Sequence, residues 1–478
     1  MKLSKLISGI NFRKCENFSD VEITSVTADS RRCRIGSLFV AIDGSKCNGE
    51  DFVTDAYEHG ARVFVVENER RDFPPAIIIY SDNARKTLAE LCSKLSGNPE
   101  KKLLFVGVTG TKGKTTTAYL VSKILESAGV KNISVGTLGV IGKTSFETLN
   151  TTPDPTVLFP LFKSAVREGI KVVVLEVSSQ ALKDFRVWGI SFDCVAFTGL
   201  GKDHIGDFEH PSICDYISSK RSLFNSYGAK RAVINFDDPY ASYISAGVPK
   251  VITCGFTEGS NLMITKFSDN QSGATFFVGD TRVTASMPGM YNARNIALAL
   301  GIAREVSGVS ISDAARCLAT LKVPGRFDLE CVNSRSVIID YAHNKESLKE
   351  VITLAKRLFS GKIICVFGSV GGRSFNRRHE LAEAAEKYAD FSVITSDNPG
   401  YEFPLSVCAE IYSAFTDKSR AKIIVSRAEA IKYALRIANE EDAVLLLGKG
   451  HENYINMGEK NVRFSDGEFV EKLKKGAV

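Results

Sequence analysis

No stretch of about 18 consecutive apolar residues occurs anywhere in the 478 positions, so no membrane span is expected. Among eleven scattered cysteines there is no Cys-x-x-Cys pair and no Cys/His spacing suited to zinc. An odd cysteine count without a secretion signal fits reduced thiols in a cytosol. The opening residues, Met1 to Ile10, hold two lysines but lack a continuous apolar segment and a small-residue cleavage site. Dense basic tracts are missing too. The 61 basic and 55 acidic residues are spread along the chain, and a net charge of +6 at this size does not make nucleic acid an expected partner. The basic stretch Lys472 to Lys475 reads as a solvated helix end. No internal repeat or low-complexity segment is seen, and 44% hydrophobic with 24% charged residues is ordinary for a soluble globular protein.

What is present is a succession of short Val/Ile/Leu runs bounded by turn residues: Leu103–Val108, Val172–Glu176, Val195–Thr198, Ala232–Asn235, Val337–Asp340, Ile363–Phe367, Val393–Thr395 and Val444–Leu447. Near-continuous apolar runs of this length read as strands buried on both faces, hence parallel sheets in an α/β chain. Between them lie amphipathic stretches; in Thr115–Ala128, residues Leu120, Val121, Ile124, Leu125 and Ala128 form one stripe. The length predicts two or three domains. Seams are expected at the polar Ser96–Lys102 stretch and at the Pro-Gly turn Val323–Arg326, giving domains 1–98, 99–325 and 326–478.

The run to Val108 leads into Gly110-Thr111-Lys112-Gly113-Lys114-Thr115-Thr116, which opens a helix. A strand, a glycine-rich loop, Lys-Thr and a helix N-terminus together make the setting of a phosphate loop. Glycines admit backbone N–H groups to the phosphates, Lys114 neutralises phosphate oxygens, and the Thr115 hydroxyl holds Mg²⁺. The usual spacing wants glycine at position 108, where this chain has Val108. An ordinary Gly/Thr-rich turn is the structural alternative, and nucleotide binding by itself names no reaction.

Glu176 ends a buried strand and leads into Ser178, at the carboxyl end where parallel sheets place ligands. A metal or phosphate role competes there with a capping or salt-bridge glutamate. The strand to Thr198 leads to Asp203-His204, then Asp207, Glu209 and His210. His204 is an unusual Mg²⁺ ligand. Lys220, on the next helix, reads by itself as a surface lysine.

These segments, in this order, resemble the Mur ligases and within them the MurE type. The resemblance rests on Gly110–Thr117, Asn150-Thr151-Thr152-Pro153-Asp154, Glu176–Leu182, Asp203-His204, Arg326 in GRFD, Asp340–His343, Asp397-Asn398-Pro399 and Gly448–Glu452. Near the start it adds Asp29-Ser30-Arg31 followed by Leu38–Ala41. It covers essentially the whole chain. It implies a three-domain α/β fold: a central phosphate-loop ATPase domain with a parallel sheet, flanked by an N-terminal UDP-binding α/β domain and a C-terminal Rossmann-like domain.

The implied roles go residue by residue. Lys114, Glu176, His204, Lys220 and Arg326 would be catalytic. Thr115, Glu176, His204 and a carbamylated Lys220 would hold Mg²⁺. Asn295 and His343 would lie near the adenine, Asp340 near the ribose and Arg326 near the phosphates. Ser30, Asn150, Thr151, Thr152, Ser178, Arg378, Asp397, Asn398, Gly448 and Glu452 would bind substrates. The implied enzyme is a cytoplasmic, monomeric, Mg-ATP-dependent ligase of peptidoglycan synthesis. It would join a diamino acid to UDP-N-acetylmuramoyl-L-alanyl-D-glutamate through an acyl phosphate, releasing ADP and phosphate.

Two departures bear on the amino acid. Diaminopimelate enzymes of this type usually carry Asp-Asn-Pro-Arg, and here Gly400 follows Pro399. Without that arginine to pair a carboxylate, L-lysine is the expected substrate, unless Arg377 or Arg378 stands in for meso-diaminopimelate. The stretch Asp203–His210 also departs from the commoner Asp-His-Leu-Asp form, toward lysine-adding members. A folylpolyglutamate-type ligase, another Mur step, and a nucleotide-gated regulatory protein are the competing readings.

Overall fold

The strand Leu104–Thr109 runs through the interior of the largest sheet, and its position follows from its sequence: both faces are apolar, so both must be covered. In the computed structural model, which describes residues 1–476 except 45–46, 70–72, 143–144, 149, 202–209 and 373–374, this sheet has ten strands. Their order is Thr281–Ala285, Gly273–Val278, Leu262–Asn270, Lys250–Gly255, Arg231–Asn235, Cys194–Phe197, Leu104–Thr109, Val172–Glu176, Asn132–Gly136 and Gly139–Ile141. From Lys250–Gly255 to Asn132–Gly136 every pairing is parallel. The carboxyl ends of Leu104–Thr109 and Val172–Glu176, which carry the glycine loop and Glu176, are therefore neighbours, with Val108 opposite Glu176.

A five-stranded sheet precedes it, in the order Lys14–Glu16, Ile77–Tyr80, Val63–Val66, Ser37–Val40 and Ser25–Thr27. A six-stranded sheet follows, in the order Asp328–Val332, Arg335–Asp340, Ala443–Leu447, Ile363–Phe367, Phe391–Ile394 and Ala421–Ile423. The last is parallel apart from Asp328–Val332, as a Rossmann-like layer requires. Each apolar run singled out in the sequence is a strand, its ends displaced by at most two residues. The Leu262–Ala285 strands escaped that reading because their burial alternates, as in the pattern of Leu262–Asn270, and so presents no continuous apolar run.

The chain forms two compact units. The first comprises Met1–Lys266, Phe277–Val283 and Tyr291–Cys317; the second comprises Phe267–Phe276, Thr284–Met290 and Leu318–Val478. Within the first unit the helix Ala84–Ser96 lies against the helix Pro155–Arg167. Arg85 pairs with Asp184 at 3.4 Å, and the Trp188 indole donates to Glu90 at 3.1 Å. No helix among the described residues is long and apolar enough to cross a membrane.

Candidate functional site

In the first unit the site grows from the glycine loop between the strand Leu104–Thr109 and the helix Lys114–Ser127. Gly113 has φ +83°, and a Cβ there would meet the Asn295 side chain at 2.4 Å, so the loop and Asn295 pack with no room for a side chain between them. Gly110 is as tightly placed against Thr198. Lys114 curls back over the loop, its ammonium donating to the carbonyls of Gly110 and Thr111 at 2.9 and 3.0 Å. The loop is further fixed by Thr111, whose N–H donates to Gly199 and whose hydroxyl shares a 2.9 Å hydrogen bond with the Tyr216 hydroxyl. Lys112 accepts from the Thr198 hydroxyl through its carbonyl. Thr115 and Thr116 are buried in the first helical turn.

Glu176 is the centre of the cluster, although it is only 2% exposed. The Thr115 hydroxyl donates to its Oε2 at 2.8 Å, and the Thr137 N–H donates to its Oε1 at 2.8 Å. Its backbone carbonyl accepts from the Thr152 hydroxyl at 2.8 Å, and Thr152 in turn accepts from the Ser178 N–H at 3.0 Å. Thr151 and Thr137 hydroxyls lie 3.2 Å apart. Glu176 thus links the two sides: its carboxylate holds Thr115 of the phosphate loop and Thr137, which reaches Thr151, and its backbone carbonyl holds Thr152 beside Ser178. Asn150 is exposed beside it, its carbonyl accepting from Thr148. Ser30 is buried on the turn Ser30–Arg32, where Asp29 caps the turn and pairs with Arg31 at 2.9 Å. Among the described residues no hydrogen bond joins it to the cluster.

Lys220 is not a surface lysine. It is 1% exposed on the helix Ile213–Asn225, donates to the Gly110 carbonyl at 3.0 Å and sits 4.3 Å from the centre of the Tyr216 ring. Asp203, His204, Asp207 and Glu209 lie outside the described residues. His210, fully buried, shares a 2.6 Å hydrogen bond with Asp215. Two residues of this first-unit cluster were not singled out in the sequence. Thr137 follows the strand Asn132–Gly136, and its position after a parallel strand was the available signal. Arg186 donates to the Thr152 carbonyl at 3.1 Å and pairs with Asp184 at 3.1 Å, following Phe185 in a left-handed conformation that no sequence pattern announced.

The second unit holds the other candidates. Asp340 ends its strand and accepts from the Phe327 and Ala342 N–H groups, both at 2.7 Å. Burial pushes its carboxyl above the usual range, while the Arg326 guanidinium pulls it the other way. Arg326 stacks 4.7 Å from the Tyr341 ring centre, and His343 shares a 2.7 Å hydrogen bond with the Tyr341 carbonyl. Asp397 and Asn398 meet Gly448 and Glu452: the Asn398 amide donates to Glu452 at 2.8 Å, and a Cβ at Gly448 would stand 2.6 Å from an Asp397 oxygen. Arg378 is buried with its guanidinium on two carboxylates, Glu410 at 2.6 Å and Glu402 at 2.7 and 2.8 Å.

Three family models match successive stretches of the chain: Mur ligase family, catalytic domain, over residues 22–94; Mur ligase middle domain over 108–303; and Mur ligase, glutamate ligase domain over 325–450. The chain belongs to the Mur ligase family. It is an ATP-dependent ligase with the three-domain α/β Mur architecture. It is 34% identical to the UDP-N-acetylmuramoyl-L-alanyl-D-glutamate–2,6-diaminopimelate ligase of Caldanaerobacter subterraneus subsp. tengcongensis, covering 99% of both chains. It is 35% identical to the ligase of the same name from Aquifex aeolicus, covering 95% of this chain and 94% of that one. A solved structure of a UDP-N-acetylmuramoyl-L-alanyl-D-glutamate–2,6-diaminopimelate ligase superposes with a TM-score of 0.69 at 26% identity, covering 100% of this chain and 99% of that chain.

Proposed function

We propose that this Mur ligase is of the MurE type and joins a diamino acid to UDP-N-acetylmuramoyl-L-alanyl-D-glutamate in the cytoplasm, as a monomer, during peptidoglycan synthesis. The observation that carries the reading is Glu176, which ties the nucleotide loop at Thr115 to the Thr137–Thr152–Ser178 segment. A switch protein needs the first half of that arrangement alone; a ligase needs an acceptor segment beside its nucleotide. We assign residues 1–98 to the nucleotide-sugar substrate, 99–325 to ATP and 326–478 to the amino acid.

In this reading the dipeptide carboxylate attacks the γ-phosphorus of ATP, breaking the bond to the β-γ bridging oxygen and giving an acyl phosphate and ADP. The amine of the incoming amino acid then attacks the acyl carbon, loses a proton and expels phosphate. Lys114 and Arg326 neutralise charge on the transferring phosphoryl group. Thr151, Thr152 and Ser178 orient the carboxylate. The buried oxygens of Thr115 and Glu176 are hard donors that suit Mg²⁺, with His204 as a further ligand. Mg²⁺ supplies electrostatic stabilisation of the phosphoryl oxygens. A carbamate on Lys220 would replace an ammonium by oxygens beside that cation, and the full burial of Lys220 next to Gly110 supports a role other than solvation.

For the amino acid, the relatives' names support 2,6-diaminopimelate. A second reading, L-lysine, rests on Gly400, which offers no side chain to a distal carboxylate, and on Arg378, whose guanidinium already pairs with Glu402 and Glu410. One assay tests both levels. ADP and phosphate release must require the UDP-muramyl dipeptide and an amino acid together; ATP hydrolysis without them would overturn the ligase reading. Competition between diaminopimelate and L-lysine at equal concentration, read as product mass, decides the amino acid.

A further inference from the structure

Lysine is among the residues least often fully buried, yet Lys449 has no exposed surface. The chain is shaped to put it there. Lys449 lies between Gly448 (φ +103°) and Gly450 (φ +51°), just after the strand Ala443–Leu447. A Cβ at Gly448 would stand 2.6 Å from Asp397, and one at Gly450 would stand 2.8 Å from Tyr341. The turn is thus drawn against both neighbours, and the lysine side chain enters the interior.

Its ammonium donates to Glu452 Oε2 at 3.0 Å and to Asn398 Oδ1 at 3.4 Å, and lies 3.8 Å from Asp397 Oδ1. Asn398 completes the ring by donating its amide to the same Glu452 oxygen at 2.8 Å. Asp397 Oδ1 is buried without a hydrogen-bond partner, although a buried carboxylate oxygen normally has one. The adjacent Arg427–Asp466 pair, at 2.6 Å and wholly buried, cancels its own charge. Two carboxylates, Asp397 and Glu452, therefore face one ammonium, and one negative charge remains.

We infer that Lys449 is the positioning residue that sets this balance: it holds Glu452 and Asn398 in place and leaves a single carboxylate charge for one ammonium of the incoming amino acid. The inference rests on the diamino-acid reading above and adds to it a residue that reads the amino acid indirectly, through its neighbours.

The test compares Lys449→Met, Lys449→Arg and the double variant Lys449→Met with Glu452→Gln in the ADP-release assay, with thermal melts of each. In Lys449→Met the KM for the diamino acid should rise on the order of tenfold or more, because Glu452 and Asn398 lose the donor that holds them and the two carboxylates, left side by side, repel each other out of position. The KM values for ATP and the UDP-muramyl dipeptide should stay near wild type. The acid limb of kcat/KM for the amino acid should move to higher pH. Burial already raises the Asp397 carboxyl, Lys449 is the strongest influence lowering it, Arg427 lowers it further, and Glu452 and Asp466 raise it. The double variant restores one negative charge and should recover part of the lost KM, and Lys449→Arg should keep the acid limb where it was. Equal loss of kcat for every substrate with an unchanged amino-acid KM, or a double variant no better than the single, would overturn the inference. A wild-type enzyme releasing no ADP in response to any amino acid would instead overturn the diamino-acid reading itself.

Discussion

Lys114 and Lys220 donate to the same acceptor, the carbonyl oxygen of Gly110, at 2.9 and 3.0 Å. Two ammonium groups on one oxygen repel each other, and more strongly where water is excluded. Converting one of them to a carbamate turns that repulsion into attraction, so the two lysines are expected to have separable roles.

Lys114→Ala should fold normally and lose ligase activity. Lys114 is only partly buried and donates to the loop carbonyls of Gly110 and Thr111, neither of which lies in the apolar core. Losing its charge from the transferring phosphoryl group should raise the barrier by several kcal/mol, at ~1.4 kcal/mol per tenfold in rate. ADP release and a melting curve measured together check this; near-normal turnover in a folded variant contradicts the phosphate-loop assignment.

Lys220→Ala should also be inactive, and a short added carboxylate should restore part of the activity by supplying the oxygens of the carbamate. Chloride at the same ionic strength should not. Full activity without rescue would reduce Lys220 to a structural residue. Equal effects of carboxylate and chloride would exclude the carbamate.

Much of this arrangement was legible because the chemistry sits at the ends of apolar runs. Glu176, Asp340 and the glycine loop each follow a strand that the Val/Ile/Leu pattern marks, and parallel pairing brings such ends together. The burial of Lys220 was not legible from local pattern, because what excludes water from it, Tyr216 and the Gly110 turn, is assembled by tertiary packing. Lys449 was not singled out for the same reason: nothing local shows that Asp397 and Tyr341 close on the turn between Gly448 and Gly450. Arg378 was legible as a cation but not as one already paired, since Glu402 and Glu410 lie on later segments.

Arg378→Met should lower stability at neutral pH and have little effect in acid. The Arg378 hydrogen bond is the main reason that the Glu402 carboxyl lies below its ordinary value of 4.5, helped by the Gly372 N–H. A carboxylate depressed in the folded state adds stability that is complete above its unfolded value and is lost as pH falls through the folded one. Urea midpoints should therefore differ between wild type and variant at pH 7, and the difference should shrink as the pH is lowered below 4.5. If Arg378 instead reads a substrate carboxylate, the amino-acid KM will move and the acid dependence will not.

Arg427→Met should be strongly destabilising, by about 3–5 kcal/mol, because Asp466 is left as a buried charge without its partner. Replacing both partners with apolar residues of similar size should cost far less, since the pair's attraction is largely offset by its own desolvation. Denaturant unfolding of the single and double variants separates the two; equal losses would show that the pair contributes more than charge compensation.

Glu176 has a thermodynamic consequence for the order in which ligands arrive. Its Oε2 accepts from both Thr115 and Thr137, on the nucleotide side and the acceptor side. A cation bound to the lone pairs of the Thr115 oxygen would polarise the O–H that donates to Glu176, which changes how firmly the same carboxylate oxygen holds Thr137 and, through it, Thr151. Linkage makes such an effect mutual: whatever factor the nucleotide applies to the affinity for the muramyl substrate, the muramyl substrate applies to the nucleotide. A shared carboxylate of this kind is expected to couple the two binding steps, and titrating each ligand in the presence of the other should then return the same factor twice.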